Sequence, residues 1–133
     1  MAKKLQDSGW KMLLIALGFV LLAVAIQITS GIVEKMTNKP DLTNFTGIAF
    51  FVMEDCPHCK ELKAETISKL ENDPTYKEKI RVIDNKKDAD LDQKYKSMIS
   101  GYPTMIVFKN GAPQGKFEGG RDLASVKQKL DEL

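Results

Sequence analysis

Residues 47–62 read GIAFFVMEDCPHCKEL, and the change of pattern within this stretch decides the fold. GIAFFVM is a short, continuous apolar run rich in β formers, as expected of a strand buried on both faces. From residue 59 to 70 the pattern becomes helical. Leu62, Thr66 and Leu70 fall along one stripe, and Glu65 and Lys69 form an i,i+4 pair. Working outward, residues 80–84 (IRVID) predict a second strand. Residues 88–98 predict a helix turned inward through Leu91, Tyr95 and Met98, and residues 104–108 (TMIVF) a third strand. Asn110-Gly111 supplies a turn into a short fourth strand around residues 116–118. Asp122 is placed to cap a last helix whose Leu123, Val126 and Leu130 share a face. The expected class is α/β: a four-stranded mixed sheet with helices on both sides. A parallel crossover and a final hairpin imply the strand order second, first, third, fourth.

The chain has two cysteines, Cys56 and Cys59, and both lie in Cys56-Pro57-His58-Cys59 at the joint between first strand and first helix. Unpaired N–H groups at a helix N-terminus favour a thiolate at Cys56. Pro57 suits the first turn, where its missing donor costs little. A protonated His58 would lower the Cys56 pKa further, whereas Asp55 opposes it as a neighbouring like charge. Plainer readings compete. A structural zinc site needs four ligands, and only His58, lying between the cysteines, is added to the pair. An inert disulfide closing so short a loop constrains the unfolded chain little. A lone His on a helix is ordinarily a solvated residue, but here it sits between two cysteines.

The formal charge of +2 is unevenly spread. Five of the twenty basic residues (Lys3, Lys4, Lys11, Lys35, Lys39) precede Asp41, against two of the eighteen acids (Asp7, Glu34). The remainder carries a net charge of −1, without the basic footprint of a nucleic-acid binder. Residues 12–33 contain no charge and begin MLLIALGFVLLAVAIQI. As a helix they would span roughly 33 Å, against a hydrocarbon core of about 30 Å. With Trp10 at an interfacial position and Lys3, Lys4 and Lys11 ahead of the run, the expectation is a single-pass anchor, a cytoplasmic N-terminus (1–11) and an exported C-terminal domain. The competing reading is a cleaved signal peptide, for which Ala23-Val24-Ala25 has suitable spacing. Residues 34–46 read as a linker and 47–133 as the folded domain.

FFVMEDCPHCKEL resembles the active-site segment of the thioredoxins. GYPTMIVFKNG, with Pro103 forty-seven residues after Cys56, resembles their cis-proline segment, and FEGG resembles the glycine region bordering their substrate groove. The resemblance implies a minimal thioredoxin fold over residues 47–133. It makes Cys56 the attacking cysteine, Cys59 the resolving one, and Pro103 the cis-proline. Tyr102 would offer backbone groups to substrate, and Gly119 would leave room for it. There are departures. Asp55 replaces the usual tryptophan, and Phe50 stands where thioredoxins bury an acid, which removes the family's proton acceptor for Cys59. No N-terminal β-α unit is evident. The Pro-His dipeptide is that of DsbA-like oxidases, yet the spacing to Pro103 leaves no room for their inserted helical domain.

The expected function is thiol–disulfide exchange on exported, cysteine-containing proteins or peptides, leaning to disulfide formation because a stabilised Cys56 thiolate makes a pair more oxidising. A membrane redox partner would recycle the pair, the lipid bilayer would hold the anchor, and no cofactor, metal or nucleic acid is implied. The alternatives are an extracytoplasmic reductase of the cytochrome-maturation type, a non-catalytic peptide-binding module using Tyr102 and Pro103, and a thiol-based metal carrier.

Overall fold

A computed structural model describes residues 9–24 and 39–133. The chain divides into two units, residues 1–39 and 40–133. In the first, residues 9–24 form a helix, α1, whose apolar side chains, among them Trp10, Leu13, Phe19 and Leu22, are exposed. No helix among the described residues is long and apolar enough to cross a membrane. The remainder of the uncharged run, residues 25–33, lies outside the described residues, as do residues 1–8 and residues 34–38 of the stretch read as linker.

The second unit follows the order expected. Strand β1 (Gly47–Val52) leads into α2 (Pro57–Leu62), which passes through a π-helical turn (Lys63–Ile67) into α3 (Ser68–Glu71). Then come β2 (Ile80–Asp84), α4 (Ala89–Lys94), a 3₁₀ turn (Lys96–Met98), β3 (Thr104–Lys109), β4 (Ala112–Lys116) and α5 (Leu123–Asp131). The sheet order is β2-β1-β3-β4, with β1 parallel to β2 and antiparallel to β3, and β3 antiparallel to β4.

Every residue of β1 is buried because the strand lies inside the sheet and has core on both faces. Its side chains alternate, as a strand's must. Ile48, Phe50 and Val52 join Cys56, Cys59, Leu62, Ile67, Leu70, Val126 and Leu130. Ala49 and Phe51 face the opposite cluster with Ile83, Tyr95, Ile106 and Phe108. Tyr95 anchors that second cluster, edge-on to Phe108 at 5.2 Å and to Phe51 at 5.9 Å between ring centroids.

Three local expectations need revision. The fourth strand spans Ala112–Lys116 rather than residues 116–118. Asn110 and Gly111 both take positive φ (51° and 78°), the geometry of a two-residue hairpin turn, so pairing resumes at once. A Cβ on Gly111 would also meet the Asn44 amide nitrogen at 2.8 Å. The helix expected over 88–98 ends at Lys94 and tightens into the 3₁₀ turn, and it buries Asp92 and Tyr95 while Leu91 and Met98 are only half-buried. Finally, Leu42 and Phe45, within the stretch read as linker, are buried in the second cluster.

Candidate functional site

The two cysteines are placed by the end of β1. The chain leaves the strand at Val52, and the Cys56 amide donates to the Met53 carbonyl at 3.3 Å, a turn that points the next residues into a helix. Cys56 is the N-cap of α2, and its Sγ accepts from the Cys59 amide at 3.3 Å. Pro57 occupies the first helical turn, where no intrahelical partner exists for an N–H. Cys59, one turn on, is fully buried, and its Sγ accepts from the Met53 amide at 3.5 Å. Both are free thiols.

These surroundings drive the two thiols apart. Cys56 is held below the ordinary thiol range, first by the hydrogen bond from the Cys59 thiol; the backbone amides of Cys59 and His58 and the charge of Arg121 add to this, against an opposing penalty from burial. Burial, and then donation of its own proton toward Cys56, push Cys59 up to about 11. One sulfur is prepared to be a thiolate and the other to stay a thiol.

Of the two residues expected to tune Cys56, neither aims its side chain at the sulfur. His58 is exposed and its Nδ1 lies 3.8 Å from Glu61 Oε2, so His58 acts on Cys56 through its backbone amide. Asp55 pairs with Lys86 Nζ at 3.1 Å, which draws the carboxylate toward a residue beyond β2. Phe50 is buried in the same cluster as both cysteines, so an apolar ring fills the place beneath them.

Across from the cysteines, the Tyr102–Pro103 bond is cis. The Cys56 thiol donates to the Tyr102 carbonyl at 3.6 Å, bringing together residues 46 positions apart. Tyr102, Pro103, Gly119 and Arg121 line one cleft of about 370 Å3 with Lys116 and Glu118. Gly119 is part of the cleft lining, and its missing side chain makes room within the protein: a Cβ there would strike the ring of Phe117.

Several contributors carried no signal of their own in the sequence. Arg121, whose charge acts on Cys56, has its carbonyl held by the hydroxyl of buried Thr66, which donates at 2.8 Å and ties the segment before α5 to the helical stretch that follows the cysteines. Its place directly after FEGG was the available clue. Lys86 and the Met53 amide act through the fold, at separations no motif records.

The thioredoxin family matches residues 37–132. Among solved structures, the chain is similar to the first two thioredoxin domains of Naumovozyma dairenensis Eps1p, with a TM-score of 0.55 and 20% identity over 67% of this chain and 35% of that one. It is similar to mitochondrial thioredoxin 3 from Saccharomyces cerevisiae, with a TM-score of 0.52 and 20% identity over 68% of this chain and 80% of that one. The first thioredoxin domain of mouse protein disulfide-isomerase A4 is 27% identical, with a TM-score of 0.50 over 65% of this chain and 61% of that one. The chain therefore spans about a third of the Eps1p fragment.

Proposed function

The chain belongs to the thioredoxin family, and from that premise we propose that it is a thiol–disulfide oxidoreductase that uses the Cys56–Cys59 pair to form disulfides in exported proteins or peptides. The observation that carries this reading is the opposed setting of the two sulfurs: Cys56 lowered at a helix cap and against the carbonyl of Tyr102, a cleft residue, and Cys59 buried and raised to about 11.

In the forward reaction the pair begins as a disulfide. A substrate thiolate attacks Cys56 Sγ, the Cys56–Cys59 bond breaks, and Cys59 leaves with the electron pair and takes up a proton. The substrate is now joined to Cys56 by a mixed disulfide. A second substrate thiolate attacks the substrate's own sulfur and expels Cys56 as a thiolate. The substrate is oxidised by two electrons and the pair is reduced. A lowered Cys56 pKa makes Cys56 the better leaving group in this last step and stabilises the reduced pair, both of which favour donation of the disulfide. Reoxidation falls to a membrane redox partner. The apolar Phe50 beneath the pair suits this direction, since oxidation of a substrate does not require Cys59 to lose a proton.

Location is part of the same proposal. The exposed apolar side chains of α1, continued by the uncharged sequence to Val33, support a single-pass anchor with the catalytic unit outside the membrane, where disulfides persist.

The test is a Cys59→Ser variant expressed in its own cells and recovered under acid quench. Its Cys56 thiolate should attack disulfides already formed in exported proteins, the same exchange run in reverse, and hold those proteins as mixed disulfides because no second cysteine releases them. Recovery of partners that do not separate on reduction would favour a peptide-binding module instead. A reduction potential near the roughly −270 mV of thioredoxin would overturn the oxidising direction.

A further inference from the structure

Tyr102 offers the cleft more than its backbone. Its phenol donates to Asp92 Oδ1 at 2.7 Å and accepts from Lys96 Nζ at 3.1 Å. Lys96 Nζ also lies 3.7 Å from Asp92 Oδ2 and 5.2 Å from the centre of the Tyr102 ring. Asp92 is the unexpected member. Among the described residues only Asp84 and Asp92 are buried carboxylates, and Asp84 is taken up by the backbone amides of Lys86 and Lys87. A carboxylate withdrawn from water is tolerated when it is hydrogen-bonded and paired. For Asp92 those partners are Tyr102 and Lys96.

The opposite end of Tyr102 is the carbonyl 3.6 Å from Cys56 Sγ. One residue therefore joins a buried acid on α4 to the attacking sulfur. The rest of the loop is fixed separately: Thr104 Oγ1 donates to the Gly101 carbonyl at 2.6 Å and Lys116 Nζ to Ser100 Oγ at 3.0 Å. Neither of those bonds holds the Tyr102 ring.

We propose that Asp92, with Lys96, is a positioning residue for the redox pair, gripping the Tyr102 phenol so that the Tyr102 carbonyl stays against the Cys56 thiol. The proposal rests on the exchange reading given above. A carbonyl oxygen at this place accepts from the S–H and repels the thiolate, so it opposes ionisation of Cys56. The grip acts against Arg121 and the helix-opening amides, and the sulfur's character is set by the balance. Releasing the ring frees the carbonyl to turn away. Cys56 then ionises more readily, and the pair becomes more oxidising because its reduced form is stabilised.

The experiment is a thiolate titration of the reduced full chain by absorbance at 240 nm, with equilibration against glutathione as a second readout. Tyr102→Phe keeps the ring and the Asp92 charge and removes only the hydroxyl. Its Cys56 midpoint should fall by about half a pH unit, roughly a threefold gain in thiolate below the midpoint, with the potential moving in the oxidising direction. Asp92→Ala should give a similar fall, and the double variant should fall no further than either single one. Asp92→Asn retains an oxygen that accepts from the phenol and should restore a near-native midpoint. A folded Tyr102→Phe protein with unchanged midpoint and potential overturns the proposal. So do additive shifts in the double variant, which mean that Asp92 acts through its own charge. Should Asp92→Ala not fold, Tyr102→Phe against Asp92→Asn still decides. The titration needs no substrate, so a moved midpoint in a chain without exchange activity counts against the proposed function and not against the grip.

Discussion

Cys56 and Cys59 stand one helical turn apart, yet the outer and inner ends of that turn are chemically different places. The outer end is built from long-range visitors: the Tyr102 carbonyl, the Arg121 charge and the cleft wall all come from residue 100 onward. The inner end is built from core, with Phe50, Leu62 and Leu70 in the same cluster and a single strand-end amide on the sulfur. Identical side chains thus acquire opposite proton affinities from a hydrogen bond they share and a burial that weighs more heavily on Cys59. Changes at the outer end should alter chemistry while sparing the fold, and changes at the inner end should alter both.

The severest test of that contrast is to remove each sulfur in turn. Cys56→Ser should bring exchange with a dithiol peptide down to the uncatalysed rate, while its urea midpoint stays close to native. Presented with the disulfide form of the peptide, the Cys56 thiolate of Cys59→Ser should attack one peptide sulfur, expel the other as a thiolate and stall at the mixed disulfide, which a mass shift on Cys56 reports. If Cys59 proves to be the residue that joins the substrate, the assignment of outer and inner ends is reversed.

A second test reads the sulfurs directly. In a brief pulse of iodoacetamide on the reduced chain, Cys56 should be alkylated at neutral pH with a midpoint below the usual thiol value of about 8.5. Cys59 ionises only near 11, so at pH 7 its thiolate is on the order of one part in ten thousand. Peptide mass spectrometry should find label on Cys56 first and on Cys59 only at strongly alkaline pH. Equal labelling at pH 7 would remove the distinction.

The inner end was the more legible in the sequence. GIAFFVM announced a doubly covered strand, and the stripe Leu62, Thr66, Leu70 announced the helix face, because strand and helix periodicities are local and burial follows them. The hairpin turn at Asn110-Gly111 was visible for the same reason, since its two residue types permit positive φ. The strand after it was misplaced because β4 is an exposed edge strand, reading APQGK, with no alternation to mark it. The outer end was legible only where a motif survives resemblance, as in GYPT. Asp92 reads in sequence as an ordinary solvated acid, and nothing local reveals that a tyrosine ten residues on makes it a buried partner. Likewise Leu42 and Phe45 are two apolar residues among turn formers, and only the assembled sheet shows the face they cover.

Stability should separate the ends further. Phe50→Ala removes a fully buried ring from the cluster beneath the cysteines, and large-to-small changes of this kind cost about 3–5 kcal/mol. Urea unfolding should show that loss. In the surviving folded protein the Cys56 midpoint should move little, because none of the hydrogen bonds and charges that lower it comes from Phe50. A large shift in that midpoint would mean that inner packing dictates outer chemistry, and the two ends would have to be treated as one.

The smallest effect is expected at His58, the residue that looks most like a switch. A histidine between two cysteines invites the reading that its imidazolium stabilises the neighbouring thiolate. The geometry assigns its influence to the backbone amide, while the imidazole stands 74% exposed and turned to Glu61 at 3.8 Å. His58→Ala keeps the amide and discards the ring, so the Cys56 midpoint should move by less than about 0.3 pH units, within what an exposed charge pair can contribute. Arg121→Gln, which removes a charge acting on the sulfur from across the cleft, should raise the midpoint and by more. The order of these two shifts carries the argument. Were His58→Ala to raise the midpoint by a full unit, the ring would have to lie over the thiolate in solution, and the tuning of Cys56 would belong to the local tetrapeptide and not to the distant residues the fold brings to it.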